Sequence, residues 1–326
     1  MAAPKIFDAI IIGGGPAGLS AALALARVCR TSVLFDSGEY RNQGVEAMHT
    51  FLSRDGIHPE EFREAARQQI QEKYSTQVSF MKGRVVRVNN REILPGYTGF
   101  EAVEARGQAF LGRKLILATG TEDIFPDIEG FKENWPDNIH NCPFCDGYET
   151  QAHPDGTGIL TFANPSYLSY ALMILRFNKA NTTIYTDGPA PSDEPTQSAL
   201  RIALANGIRL DTRRIRRLVS NHLEKGMKIE FETGSPQKVG MLFHRTAMRA
   251  RGREALIEQL GLEVKLSGDV AADSLTLQAN GVRGVFVAGD VCEMAKQAVI
   301  AAAHGVRAAG GVVHQLVEEE GAAVEV

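Results

Sequence analysis

Short apolar runs that stop at glycines alternate along this chain with longer stretches rich in alanine and leucine. Ala9–Ile12 ends at Gly13 and has the length and boundary of a buried strand, while Leu19–Val28 is long and apolar enough for a helix packed on it. Ser32–Phe35 predicts a second strand, and the apolar run within Arg113–Glu122 predicts a strand ending in Ala118-Thr119-Gly120. Near the end, Val285–Ala288 predicts a strand that stops at Gly289-Asp290, followed by a helix of small residues. The middle repeats the strand–helix–strand pattern: Ile159–Phe162, then Tyr167–Leu175, then Thr183–Tyr185. Two such units predict an α/β protein.

The first unit carries a motif. Gly13-Gly14-Gly15-Pro16-Ala17-Gly18 fits G-x-G-x-x-G between a predicted strand and helix, and Asp36 falls 18 residues after Gly18. This is the spacing of a dinucleotide cradle. Gly13 makes the turn, Gly15 lets backbone approach a pyrophosphate, Gly18 lets the helix pack on the strand, and the acid reaches a ribose hydroxyl. The motif alone leaves FAD and NAD open. The Ala118-Thr119-Gly120 strand and the Gly289-Asp290 strand with its helix resemble those of flavoproteins with two dinucleotide domains. That resemblance implies FAD, with Asp290, Gln297 and Ala298 at the flavin and the helix start facing it. The expected fold is therefore two Rossmann-like dinucleotide-binding domains, the second inserted in the first. Residues 1–120 and 240–326 would form the FAD domain and 121–239 the insert, with boundaries in the turn-rich "TGTEDIFPDIEG" and "ETGSPQKVG". The tail "EEEGAAVEV" is expected to fray.

Composition narrows the functional classes. The chain has 326 residues, 23% charged and 44% hydrophobic, with a net charge of -4, so it offers no basic field to nucleic acid or an anionic membrane. The N-terminus lacks the pattern of a signal peptide, and four cysteines do not make a secreted disulfide framework, so a reducing, cytoplasmic setting is expected. Cys29 and Cys292 are expected to be small core residues.

The other two cysteines lie in "HNCPFCDGYE". With Pro143 at the first helical position, Cys142 would start a helix and Cys145 would face the same way one turn on, so the pair can close a disulfide. The helix start would lower the thiol pKa of Cys142. Asp146 and His140 are candidates to relay protons. His140, Cys142, Cys145 and His153 could instead supply four zinc ligands, but His153 sits beside Pro154 and there is no second CxxC, so no metal is expected.

A split FAD domain with CxxC and Asp in the insert resembles the low-molecular-weight thioredoxin reductase family along the whole chain. "CPFCDGYE", "DSGEYRN" and the following "MHTFL" resemble the fungal gliotoxin-type dithiol oxidases, flavoenzymes that close the disulfide of epipolythiodioxopiperazine metabolites. The resemblance implies that Ser37, Arg41 and Asn42 flank the adenosine or pyrophosphate of FAD. It places His49 by the flavin or the substrate dithiol, Cys145 over the flavin and Cys142 toward substrate. It also implies a homodimer in which the region of His49 helps complete the partner's site.

A thioredoxin reductase also needs NADPH in its insert. Here the second turn, Ala163-Asn164-Pro165-Ser166, has no glycine, and side chains and a proline ring would block a pyrophosphate. Asp187 after the next strand would repel a 2′-phosphate. "FHRTAMRA" mimics a phosphate-binding arginine string but lies about 80 residues past the strand rather than about 20, and reads as a solvated charged segment. The expectation is a small dithiol as electron donor and oxygen as acceptor, giving hydrogen peroxide. A reductase fed by NAD(P)H or a reduced carrier, and a non-enzymatic flavin-bound redox sensor, are the alternatives.

Overall fold

The computed structural model describes residues 4–221 and 225–322. The chain forms two compact units: one contains the residues up to Gln43, Phe51–Asp123 and Met248 onward, and the other contains Gly44–Thr50 and Ile124–Ala247. The α/β class with a second Rossmann-like unit inserted in the first is the observed architecture.

The first unit begins with β1 (Ile6–Ile12), α1 (Pro16–Arg27) and β2 (Ser32–Asp36), followed by α2 (Pro59–Tyr74), β3 (Val78–Lys82), β4 (Val85–Leu94), β5 (Tyr97–Glu104) and β6 (Ala109–Leu117). β3, β2, β1 and β6 run parallel in that order. β5 and β4 continue the sheet antiparallel from the first half of β6. Leu19, Ala22, Leu25 and Ala26 make the buried stripe of α1. Fully burying Leu25 is worth about 2 kcal/mol, more than helix propensity supplies, so packing places α1.

The chain then crosses through β7 (Thr121–Ile124) into the second unit. There follow the single turn α3 (Phe131–Asn134), β8 (Ile139–His140), the single turn α4 (Pro143–Asp146), β9 (Thr157–Leu160), α5 (Tyr167–Leu175), β10 (Thr182–Tyr185), α6 (Glu194–Ala205) and β11 (Arg209–Asp211). The antiparallel strands β12 (Ile215–Ser220), β13 (Met227–Phe231) and β14 (Gln237–Val239) precede β15 (Met241–Phe243). The parallel sheet has the order β11-β10-β9-β15-β8, and Ile159, Ala171, Ile174, Ile184 and Phe243 are fully buried in its core. Cys142 lies two residues beyond the end of β8, so the CxxC follows the edge strand of this sheet.

The return strand β16 (Ala247–Ala250) pairs with β7. β17 (Val285–Val287) then pairs with the second half of β6, and α7 (Ala298–Ala322) follows. α7 packs tightly on α1: a Cβ on Gly305 would lie 2.0 Å from the Ala17 carbonyl oxygen, so only glycine fits. Among the described residues, no helix is long and apolar enough to cross a membrane.

The acidic stretch expected to fray is helical as far as Ala322, and residues 323–326 lie outside the described ones. Ion pairs hold it. Glu319 accepts from buried Lys114 at 2.6 Å, and Glu320 accepts from Arg30 and Arg113, each at 2.6 Å. The hydrogen bonds from Arg30 and Arg113 lower Glu320 from 4.5 to about 2. A depressed carboxylate stabilises the fold above its unfolded pKa and loses that effect as pH falls through its folded pKa. The difference in thermal midpoint between wild type and Glu320→Gln is thus expected to be full at pH 6 and to shrink from pH 4.5 toward 2. A pH-independent difference would contradict the ion-pair account.

Candidate active site

The first strand–turn–helix is an open cradle. A Cβ on Gly13, which has φ 125°, would meet the Ala118 carbonyl oxygen at 2.1 Å, and one on Gly18 would meet the Gly13 carbonyl oxygen at 1.9 Å. These two glycines let β1, the turn and α1 close on one another. A Cβ on Gly14 would strike the Asp36 carboxyl at 2.2 Å. Gly15 differs: nothing lies within 4 Å of the position its Cβ would take. Its open side is the face a pyrophosphate would approach, and no side chain caps the start of α1, where Pro16 and Ala17 begin the helix. Thr119 adds a buried hydroxyl without a hydrogen-bond partner beside the turn.

The other residues expected at the cofactor lie in the same unit, except one. Asp36 at the end of β2 accepts from the Gly38 N–H at 2.9 Å, from the Tyr40 hydroxyl at 2.5 Å and from Arg67. Ser37 is exposed, and Asn42 accepts from Arg63 at 3.2 Å. Arg41 grips Asp123 with two 3.0 Å hydrogen bonds and stands 3.7 Å from the Asp290 carboxylate. Burial pushes the Asp290 carboxyl up, against the opposing effects of Arg41 and Lys296. Ala118 donates its N–H to Ile12 at 2.8 Å, and Gly120 has φ 70°. Gln297 and Ala298 stand at the start of α7, where the Ala301 N–H bonds the Gln297 carbonyl at 2.9 Å.

His49 is the exception. Gly44–Thr50 group with the second unit rather than with residues 1–120, and the second unit extends to Ala247 rather than 239. Contacts within that unit account for the placement of 44–50. Gly44 sits against Pro136, Met48 is buried, and His49 Nε2 lies 3.6 Å from Glu149 Oε1. His49 is thus placed beside Glu149, four residues beyond Cys145, within its own unit.

In the second unit Cys142 is the residue before α4, Pro143 is its first residue, and the Cys145 N–H bonds the Cys142 carbonyl at 3.0 Å. Cys142 and Cys145 form a disulfide with a Cα–Cα distance of 5.2 Å. α4 is a single turn, and the Cys142 side chain makes no capping hydrogen bond at its start. His140 Nδ1 is 3.1 Å from Asp146 Oδ1, and His140 Nε2 is buried without a partner. The turn is held from both sides. The Tyr170 hydroxyl donates to the Asn141 carbonyl at 2.8 Å, and the Asn141 amide donates to Thr246 at 2.7 Å. A Cβ on Gly147 would lie 2.0 Å from the Phe177 ring. His153 is occupied elsewhere, its Nδ1 accepting from the Asp155 N–H at 3.2 Å.

The second strand–turn–helix is closed where the first is open. Asn164 Oδ1 accepts from the Ser166 N–H at 3.0 Å and from the Ser166 hydroxyl at 2.6 Å. The N–H groups of Tyr167 and Leu168 bond the Asn164 and Pro165 carbonyls, each at 3.1 Å. The N–H groups of Ser166, Tyr167 and Leu168, donors that would hold a phosphate at the start of α5, are spent within the turn. Two expectations change. Asp187 is not a free negative charge, because its carboxylate accepts from the Ile215 N–H at 2.7 Å and Arg214 lies 3.8 Å away. "FHRTAMRA" is not simply solvated: His244 and Thr246 are buried, and Arg245 packs on the rings of Tyr167 and Tyr170. Phe243 belongs to β15, and that strand carries the segment into the core.

Of the remaining cysteines, Cys292 is half-buried and burial pushes its thiol up to about 12. Cys29 is exposed, contrary to expectation, because it follows the end of α1 at φ 59°, where the chain leaves the helix. Asp123, Glu149 and Tyr170 are the site-shaping residues that sequence reasoning missed. Each acts through a contact between distant segments and has no local motif to mark it.

A glycine-rich cradle in one unit and a CxxC disulfide in an inserted Rossmann-like unit are the arrangement of a flavin-dependent disulfide oxidoreductase. The chain belongs to the pyridine nucleotide-disulphide oxidoreductase family, whose pattern residues 7–305 match, and it is an FAD-binding enzyme of thioredoxin reductase-like type. It is 39% identical over 300 residues to thioredoxin reductase tcpT of Claviceps purpurea, covering 91% of this chain and 90% of that one. It is 38% identical over 331 residues to thioredoxin reductase aclD of Aspergillus oryzae, covering 98% and 99%. An oxidoreductase from Agrobacterium tumefaciens has a similar solved structure, with a TM-score of 0.84 and 31% identity over 96% of this chain and 99% of that one.

Proposed function

We propose that this enzyme oxidises a small dithiol to a cyclic disulfide and that oxygen takes the electron pair as hydrogen peroxide. The observation that carries the direction is the closed turn at Asn164–Ser166. A nicotinamide-fed reductase needs open N–H groups there, and these are already bonded. The proposed substrate class, epipolythiodioxopiperazine-like dithiols, rests on the sequence resemblance.

In this reading a substrate thiolate attacks the Cys142 sulfur, a mixed disulfide forms, and Cys145 leaves as thiolate. The second substrate thiol then displaces Cys142, so the substrate departs as a cyclic disulfide and the enzyme keeps two reduced cysteines. Two protons must leave the substrate. Asp146 accepting the His140 Nδ1–H makes Nε2 the basic nitrogen of the ring, and that atom is the one buried without a partner. We assign proton removal to this pair, with His49 and Glu149 on the substrate side. Gly13–Gly18, Asp36, Ser37, Arg41, Asn42, Ala118–Gly120, Asp290, Gln297 and Ala298 would hold FAD. Bound FAD supplies the two-electron acceptor for the reduced pair and the point at which oxygen is reduced.

Aerobic turnover with a simple dithiol such as dithiothreitol is expected to release one hydrogen peroxide per disulfide formed; disulfide formation without peroxide would overturn the choice of acceptor. We also propose a cytoplasmic homodimer without nucleic-acid or membrane partners; sedimentation as a monomer at working concentration would contradict the dimer. The second reading, a disulfide reductase running in the opposite direction, is favoured by the names of the relatives.

A further inference from the structure

The segment between β17 and α7 presents two of the proposed flavin-facing residues, Asp290 and Gln297, and leads into a third, Ala298 at the start of α7, yet it has little regular structure of its own. Gly289–Val291 makes one tight helical turn. Beyond it, local contacts are few: the Ala295 N–H bonds Glu293 Oε1 at 2.8 Å, and the Gln297 N–H bonds the Ala295 carbonyl at 3.0 Å. What closes the segment is Lys296. Its ammonium donates to the Asp290 carbonyl at 2.9 Å, to the Glu293 carbonyl at 2.5 Å and to Asp269 Oδ1 at 2.8 Å. All three donors are spent, and the Lys296 and Asp269 side chains are only 6% and 9% exposed.

Asp269 is fixed in turn. The Ser267 hydroxyl donates to its Oδ2 at 2.8 Å, and the next residue, Val270, ties the same strap to the segment by donating its N–H to the Val291 carbonyl at 2.9 Å. A buried ion pair of this kind is poor evidence for stability, because apolar residues of similar volume often serve the fold as well. It does fix geometry. One cation holds the carbonyl of the residue whose carboxylate would meet the cofactor and brings a full positive charge to the approach to α7.

We infer that Lys296 and Asp269 are positioning residues for the flavin: the pair sets the geometry of the 289–297 segment, and through it the affinity and potential of the cofactor. Lys296→Met keeps the apolar stem and removes the cation. It is expected to weaken FAD binding about tenfold, the size of effect of losing one charge-assisted hydrogen bond, and to move the flavin midpoint potential to a more negative value. Asp269→Asn should weaken FAD binding by less, and because it removes a negative rather than a positive charge its midpoint potential should not fall with that of Lys296→Met.

The deciding variant is Lys296→Met with Asp269→Leu, which leaves no unpaired buried charge and keeps the test available if either single variant fails to fold. The measurements are the FAD dissociation constant by flavin fluorescence, the midpoint potential, and the thermal midpoint of the apoprotein. The inference expects the double variant to recover wild-type apoprotein stability while its FAD affinity and potential stay displaced. Recovery of all three together would show that the pair serves only the fold. Unchanged affinity and potential in a folded Lys296→Met would overturn the inference directly.

Discussion

Cys142→Ser and Cys145→Ser are each expected to reduce dithiol oxidation by more than about 10³-fold while the protein stays folded and yellow. The chemistry needs both sulfurs, since one must exchange with substrate and the other must close the pair again. The fold needs neither. Both residues are half-buried, and a disulfide across a sequence separation of 3 closes too short a loop to constrain the unfolded chain much. The two variants should fail differently. Cys145→Ser keeps the proposed substrate-facing sulfur as a free thiol; incubated with the cyclic disulfide product, its Cys142 thiolate should open the product S–S bond, release the second sulfur as a thiol and accumulate a mixed disulfide, visible as an added mass on the intact protein. Cys142→Ser should not. Asp146→Asn keeps both sulfurs but no longer holds His140 in one tautomer, and turnover should fall by about 10²–10⁴-fold. Full activity in either serine variant would remove the CxxC from the mechanism.

The second large effect separates two glycines of one motif. Gly18→Ala places a methyl 1.9 Å from the Gly13 carbonyl oxygen, a clash between backbone-anchored atoms that rotamers cannot relieve. A cost of about 3 kcal/mol is expected, a fall of roughly 5–10 °C in the apoprotein thermal midpoint, with loss of flavin as a consequence. Gly15→Ala meets nothing within 4 Å and has φ -79°, which alanine adopts freely. Its apoprotein stability should stay within about 0.5 kcal/mol of wild type, yet FAD affinity should drop because the methyl occupies the open face of the cradle. If Gly15→Ala bound FAD normally, that face would not be where the pyrophosphate lies.

The contrast also shows what the sequence could convey. The glycine motif was legible because its chemistry is local: turn, helix start and acid lie within β1, α1 and β2. The glycine-free turn at 163–166 was legible for the same reason, although the blocking agent is less the proline ring than the Asn164 side chain and the carbonyls that cap α5. The carboxylate grip of Asp123 on Arg41 was not legible, because it joins residues 82 apart with no periodic signal. The transfer of 44–50 to the second unit was missed because a short irregular segment has no pattern of its own, and its place is decided by contacts such as His49 with Glu149. The tail misled for a related reason: Glu319 and Glu320 look solvated until Lys114, Arg30 and Arg113 are brought beside them.

The most direct test of the account is anaerobic mixing of the oxidised enzyme with NADPH and, separately, with a small dithiol, following the flavin absorbance band. The account predicts that the dithiol bleaches the band on the timescale of turnover, that NADPH leaves it unchanged on that timescale, and that admitting oxygen restores the colour. Rapid bleaching by NADPH with no reaction to the dithiol would contradict it and make the enzyme a reductase.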